Sequence, residues 1–131
     1  FAYDQVLIPA LETVAVTAEG NAGARKLATD FFGNTGKSGK DGITIPLHDE
    51  RIYNLIFSGL SGREARLGKL SVSWSKDSPW RKIVCWAKPT EHFFCLEPWY
   101  GLPDAVNRPR GTVDLAMGQS AKFDVRISMR P

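Results

Sequence analysis

Leu70-Ser71-Val72-Ser73-Trp74 alternates apolar and polar residues without a break, so Leu70, Val72 and Trp74 share one face. That period of two belongs to a half-buried β-strand and not to a helix. The same pattern recurs on both sides of it. Downstream, Arg81 to Ala87 holds the nearly continuous apolar run Ile83-Val84-Cys85-Trp86, and His92 to Leu96 is another. In residues 122–129, Phe123, Val125 and Ile127 face one way, with Lys122, Asp124 and Arg126 facing the other. Upstream, Thr13-Val14-Ala15-Val16-Thr17 and Ile43-Thr44-Ile45-Pro46-Leu47 are β-branched and alternating. Turn residues separate the runs: Lys76-Asp77-Ser78-Pro79, Lys88-Pro89, Pro98, Leu102-Pro103-Asp104 and Met117-Gly118. Short strands with such breaks predict an all-β antiparallel sandwich. Strands are expected near residues 12–17, 43–47, 52–57, 63–74, 81–87, 92–97 and 120–129. The segment Gly23 to Phe32 reads as the one short helix, and residues 33–42, GNTGKSGKDG, as a flexible glycine-rich surface loop.

The chain has 131 residues, 43% hydrophobic and 24% charged. This length and composition suit one domain with its own core, or a piece of a larger one, and exclude a disordered or collagen-like chain. No run approaches 18 apolar residues, so no membrane span is expected. A net charge of +3 permits an acidic partner without requiring one. Residues 1–10 lack a basic region ahead of their apolar stretch, so they are not a secretory signal. Cys85 and Cys95 both lie in apolar runs, which predicts free, buried thiols and an intracellular compartment, cytoplasmic or organellar.

Several chemistries fail on residue type or spacing. Gly36-Lys37-Ser38 matches the end of a phosphate-cradling loop, but Phe31 stands where the first glycine belongs and a strand follows where a helix is needed. His48 and His92 are the two histidines, too few for a zinc cluster, so neither metal nor cofactor is expected. Arg63-Glu64-Ala65-Arg66 and Arg108-Pro109-Arg110 are short basic groups in an otherwise scattered distribution, which argues against nucleic acid.

The segment from His92 to Asn107, HFFCLEPWYGLPDAVN, carries the strongest chemical signal. An apolar strand runs into Glu97, with Phe93, Cys95 and Glu97 on one face and Pro98 expected to stop the ladder. A carboxylate set among apolar residues is costly unless it is hydrogen-bonded or functional, and such a group can serve as a general base. The competing reading is a strand-end glutamate pointing to water. Trp86, Trp99 and Tyr100 are candidate sugar-stacking rings, against the plainer account of core packing.

Cys95-Leu96-Glu97-Pro98-Trp99, followed by Gly101 and Asp104, resembles the signature of the aldose 1-epimerase (galactose mutarotase-like) family. Leu55-Ile56-Phe57, Val84-Cys85-Trp86-Ala87-Lys88-Pro89 and the Met117-Gly118-Gln119-Ser120 turn resemble neighbouring family segments. The resemblance implies the C-terminal portion of a larger mutarotase-like supersandwich, its N-terminal half missing or supplied by another chain. It implies a sugar ligand, interconversion of α and β anomers of a hexose, and Glu97 as the base. Asp104 falls on the motif's acidic position, and Tyr53 falls nearest a sugar-holding aspartate of the family. The family's acid histidine has no counterpart in His48 or His92. The alternative is a non-catalytic carbohydrate-binding or structural subunit that keeps the sandwich. A glycoside hydrolase, pairing Glu97 with Glu91 or Asp104, is a weaker third reading.

Overall fold

The computed structural model describes residues 4–88 and 90–131. Among them, eleven strands form two antiparallel sheets. In chain order they are β1 (Gln5–Ile8), β2 (Ala10–Val16), β3 (Ala22–Leu27), β4 (Lys37–Gly39), β5 (Gly42–Pro46), β6 (Leu55–Leu60), β7 (Glu64–Leu67), β8 (Leu70–Ser73), β9 (Lys82–Ala87), β10 (Phe94–Trp99) and β11 (Arg126–Met129). One sheet runs β11-β8-β7-β1-β5-β4 and the other β10-β9-β6-β2-β3. Consecutive strands β1 and β2 enter different sheets, so the chain switches layers at Pro9.

The sheets close over one core. Val6, Ile8, Ile43 and Ile45 face inward from the first sheet, and Leu55, Phe57, Ile83 and Cys85 from the second, each at most 2% exposed. Phe32 joins them with its ring stacked on Phe57, centroids 6.1 Å apart. Each such side chain contributes about 1.5–3 kcal/mol on burial. Their spacing by two fixes which residues look out.

The expected helix is confined to α1 (Ala28–Phe32). Residues 22–27 instead pair with β2 as an edge strand, with Lys26 opposite Thr13 and Arg25 opposite Val14. A free edge on β2 outweighs weak helical propensity, and exposed basic side chains are what an edge strand tolerates. The expected loop at 33–42 is likewise part structure: a 3-10 turn (Gly33–Thr35) leads into β4, which pairs with β5. The long strand at 63–74 folds into a hairpin, β7 on β8, with Leu67 opposite Leu70. Gly68, at φ 58°, supplies the left-handed residue that this two-residue turn needs.

Residues 120–125 do not join a ladder. Their polar groups are satisfied otherwise: the Asp124 carboxylate accepts from the Ser75 amide at 2.9 Å, and its carbonyl accepts from Trp80 Nε1 at 2.9 Å. Regular pairing with β8 starts at Arg126. Strand β10 includes Pro98, opposite Ile83, so the proline does not stop the ladder. It is tolerated because β10 is an edge strand, where a missing N–H costs no pairing. Pro89, in the expected turn at Lys88-Pro89, lies outside the described residues. No helix among the described residues is long and apolar enough to cross a membrane.

Two ionic clasps tie distant turns. Asp49 binds Arg51 at 2.6 Å and accepts from Thr35 Oγ1 at 2.8 Å, while Arg51 also donates to the Phe31 carbonyl at 2.8 Å. Glu64 accepts from Arg66 and Arg130, each at 2.9 Å, and from Ser71. The Arg51 hydrogen bond, chiefly, holds the Asp49 carboxyl down at about 2, and the Arg66 hydrogen bond does the same for Glu64. A depressed folded-state pKa contributes stability above the ordinary carboxylate range and loses it as pH falls toward the folded value. Thermal melts between pH 5 and about pH 2 are therefore expected to show a steep fall in Tm. The Asp49→Asn, Glu64→Gln double variant should start lower at pH 5 and fall less steeply; a fall parallel to wild type would contradict the clasp assignment.

Candidate functional site

Burial of Ile83 and Cys85 between the sheets turns Lys82, Val84 and Trp86 to the outer face of the second sheet. Cross-strand pairing places β10 residues beside them: Cys95 opposite Trp86, Glu97 opposite Val84, Trp99 opposite Lys82. Directly paired residues project to the same side of a sheet. The outer face thus reads, along its β9–β10 edge, as an aromatic end with Trp86, a carboxylate at Glu97, then Trp99 with Lys82.

This outer face is not simply solvated. Val14, Ile56 and Val84 form a second buried cluster on it, covered in part by Val16, Ala22, Trp99 and Leu102. Trp99 lies on that cluster and its indole Nε1 donates to Glu97 Oε2 at 3.0 Å. The carboxylate is therefore held in one orientation and remains half-buried. The Trp86 ring packs against Phe93 at 5.2 Å, with Lys88 Nζ 5.8 Å from its centroid.

The other sequence candidates are placed differently. Tyr53 packs against the inter-sheet core and donates its hydroxyl to the Leu47 carbonyl at 3.1 Å. Tyr100 stacks under the Arg81 guanidinium at 4.4 Å and meets Phe123 edge-on. Asp104 is exposed in a left-handed turn conformation and accepts from Asn107 Nδ2 at 2.6 Å. Glu97, Trp86 and Trp99 share a face; Tyr53, Tyr100 and Asp104 are each occupied in local structure. His48 and His92 are both exposed, in a turn and in the bend leading to β10. Among the described residues, no group of three or more His, Cys, Asp or Glu could hold a metal ion.

A feature the sequence hid lies on the same outer face. A cavity of about 330 Å³ is lined by Arg25, Arg81, Lys82, Arg108 and Arg110, with Tyr100 and Leu102. Arg81 donates to the Arg110 carbonyl at 3.1 Å, and Arg108 to the Pro103 carbonyl at 2.9 Å, so both are anchored through backbone oxygens. The loop around them is drawn tight at Gly111, where a Cβ would meet the Ala105 carbonyl oxygen. An adjoining cavity of about 430 Å³ shares Arg25, Arg81 and Lys82 and adds Glu12, Ser58 and Trp80. Burial, then the charges of Arg25, Arg81 and Arg108, pushes the Lys82 ammonium pKa down, with Glu12 acting in the opposite sense. The basic residues scattered in sequence are thus gathered in space. The available signal was Arg81-Lys82 at the start of β9, one position of which must face outward with Trp86.

In comparisons with protein-family models, curated proteins and solved structures, nothing matches this chain.

The cysteines report on the register. Both are free, but Cys85 is buried in the core whereas Cys95 is half-buried, which corrects the expectation that both are fully buried. Burial, and secondarily the charge of Glu97, drives the Cys85 thiol pKa well above its usual range. Their paired partners show that the two side chains leave opposite faces of the sheet, a geometry no disulfide spans. Iodoacetamide should label Cys95 in the native protein and Cys85 after unfolding. A Cys85–Cys95 disulfide by mass spectrometry, or equal native labelling, would contradict this register.

Proposed function

We propose that this chain carries the base-bearing part of a sugar site of the aldose 1-epimerase type, with Glu97 as general base in the exchange of α and β hexose anomers. The observation that carries the reading is the Trp99 Nε1 to Glu97 Oε2 hydrogen bond on a sheet face that also bears Trp86. An indole donor fixes the carboxylate yet leaves its second oxygen to accept a proton. Flanking indoles suit the apolar faces of a sugar ring. The resemblance of Cys95 to Asp104 to the family signature supports the same reading.

In this mechanism Glu97 takes the proton of the anomeric hydroxyl as the ring C–O bond breaks. The departing ring oxygen takes a proton from an acid, the open aldehyde turns, and the ring closes on the opposite face. Each transfer needs hydrogen-bond reach. His48 and His92 are exposed and lie outside β10, so the acid is assigned to a partner segment, the N-terminal half of the sandwich or another chain. The wholly exposed β11, with Ile127 at 72% and Met129 at 70%, supports such a partner. The same exposed histidines favour a second reading, a sugar-binding or structural subunit without catalysis.

Glu97→Gln keeps size and the Trp99 hydrogen bond but removes proton acceptance. Anomer exchange followed by polarimetry or NMR is expected to slow by a factor on the order of 10²–10⁴, with KM roughly held. Equal rates for wild type and variant would remove Glu97 from the chemistry. Sugar binding without any exchange in the wild type would favour the non-catalytic reading.

A further inference from the structure

We infer that the two adjoining cavities on the outer face of the second sheet form a binding site for a phosphomonoester of a small hydroxylated molecule. This inference stands apart from the role given to Glu97, because it concerns binding by other side chains and needs no anomer chemistry.

Charge comes first. Arg25, Arg81, Lys82, Arg108 and Arg110 line the smaller cavity, and Arg25, Arg81 and Lys82 continue into the larger one. Glu12 is the acidic side chain lining either of these two cavities, and its contact with Arg25, at 3.7 Å, is long and exposed. Five cations facing one carboxylate repel one another, and a bound anion relieves that repulsion. A dianionic phosphate neutralises more of it than a carboxylate does and offers three acceptor oxygens to guanidinium forks. Among the described residues neither Arg81 nor Arg108 forms an ion pair with an acid; each donates to a backbone carbonyl.

A second observation points to what the phosphate is attached to. Ser58 lines the larger cavity, is 3% exposed, and its Oγ makes no hydrogen bond. A buried hydroxyl without a partner is costly, by an amount a ligand hydroxyl would recover. Glu12, beside it, is an acceptor for another hydroxyl. Trp80 supplies an apolar wall, its ring held by the Nε1 bond to the Asp124 carbonyl. The larger cavity, about 430 Å³, has room for a small organic body beside a phosphate group in the smaller one. Arg25, Arg81 and Lys82 line both cavities and so bridge the two halves of such a ligand.

The test is calorimetric titration of the whole chain at fixed ionic strength with four probes: glycerol 3-phosphate, inorganic phosphate, glycerol and acetate. Glycerol 3-phosphate should bind more tightly than inorganic phosphate, with acetate and glycerol far weaker. Lys82→Gln and Arg81→Gln should each weaken both phosphate probes by about tenfold or more. Ser58→Ala should weaken glycerol 3-phosphate several-fold while leaving inorganic phosphate unchanged. Melting temperatures of the variants, and the rise in wild-type Tm with glycerol 3-phosphate, separate lost binding from lost folding. Arg108→Gln, at an exposed position, gives a further variant if Lys82→Gln unfolds. Equal binding of acetate and phosphate would overturn the site, as would phosphate binding untouched by all of these variants. Tighter binding of a single-stranded oligonucleotide, with an affinity that grows with its length, would overturn the small-molecule assignment in favour of a nucleic-acid surface.

Discussion

Ile83 and Cys85, both fully buried between the sheets, fix the outer face on which Trp86, Glu97, Trp99 and the basic cavity sit. Side chains on a strand alternate strictly, so a slip of one residue in β9 would turn Ile83 and Cys85 out of the core and carry Lys82, Val84 and Trp86 into it. The penalty of several kcal/mol for such a slip makes the register unambiguous. Once β9 is fixed, the ladder sets Glu97 beside Val84 and Trp99 beside Lys82. That alignment sets the Trp99–Glu97 pair and Lys82 of the basic cavity on the same outer face.

The second sheet is covered on both faces, which is unusual for an antiparallel layer with edge strands on each side. Its inner face meets the first sheet. Its outer face has the small cluster of Val14, Ile56 and Val84 under Trp99 and Leu102. Part of that cover, Leu102, comes from the chain just after β10, which helps keep residues 100–111 near the sheet without forming strands. The same stretch carries Arg108 and Arg110 back over Arg25, Arg81 and Lys82. Packing of an apolar cluster thereby concentrates positive charge, and the cations gathered there are left with little acidic compensation.

The C-terminal residues are held by a different device. Trp80, Phe123 and Tyr100 form an aromatic group, with the Trp80 and Phe123 centroids 4.7 Å apart, and Asp124 bonds back to Ser75 and Trp80. Polar side chains of the turn at 75–78 thus substitute for a strand ladder before β11 begins. This satisfies the backbone at a place where alternation alone predicts a longer strand.

Alternation by itself determined the all-β class, the shared face of Leu70, Val72 and Trp74, and the placement of Glu97 on a face with Cys95, because a period of two is a local property of the backbone. The continuous apolar run of β9 left its inward residues, Ile83 and Cys85, to the tertiary structure. Alternation did not locate the hairpin at Leu67-Gly68-Lys69-Leu70, which passed as continuous strand because one left-handed residue leaves little trace in an apolar pattern. Residues 23–27 read as helix because propensity is local, whereas the open edge of β2 that recruits them is a neighbour far along the chain. Asp104 matched by position in a motif, Tyr53 fell nearest a family aspartate and Tyr100 was a candidate stacking ring, yet neighbours in the fold occupy each one. The basic cavity was decided wholly by tertiary structure: Arg25, Arg81, Lys82, Arg108 and Arg110 come from three separate stretches, and charge, unlike hydrophobic alternation, has no period that announces where the fold will bring it together.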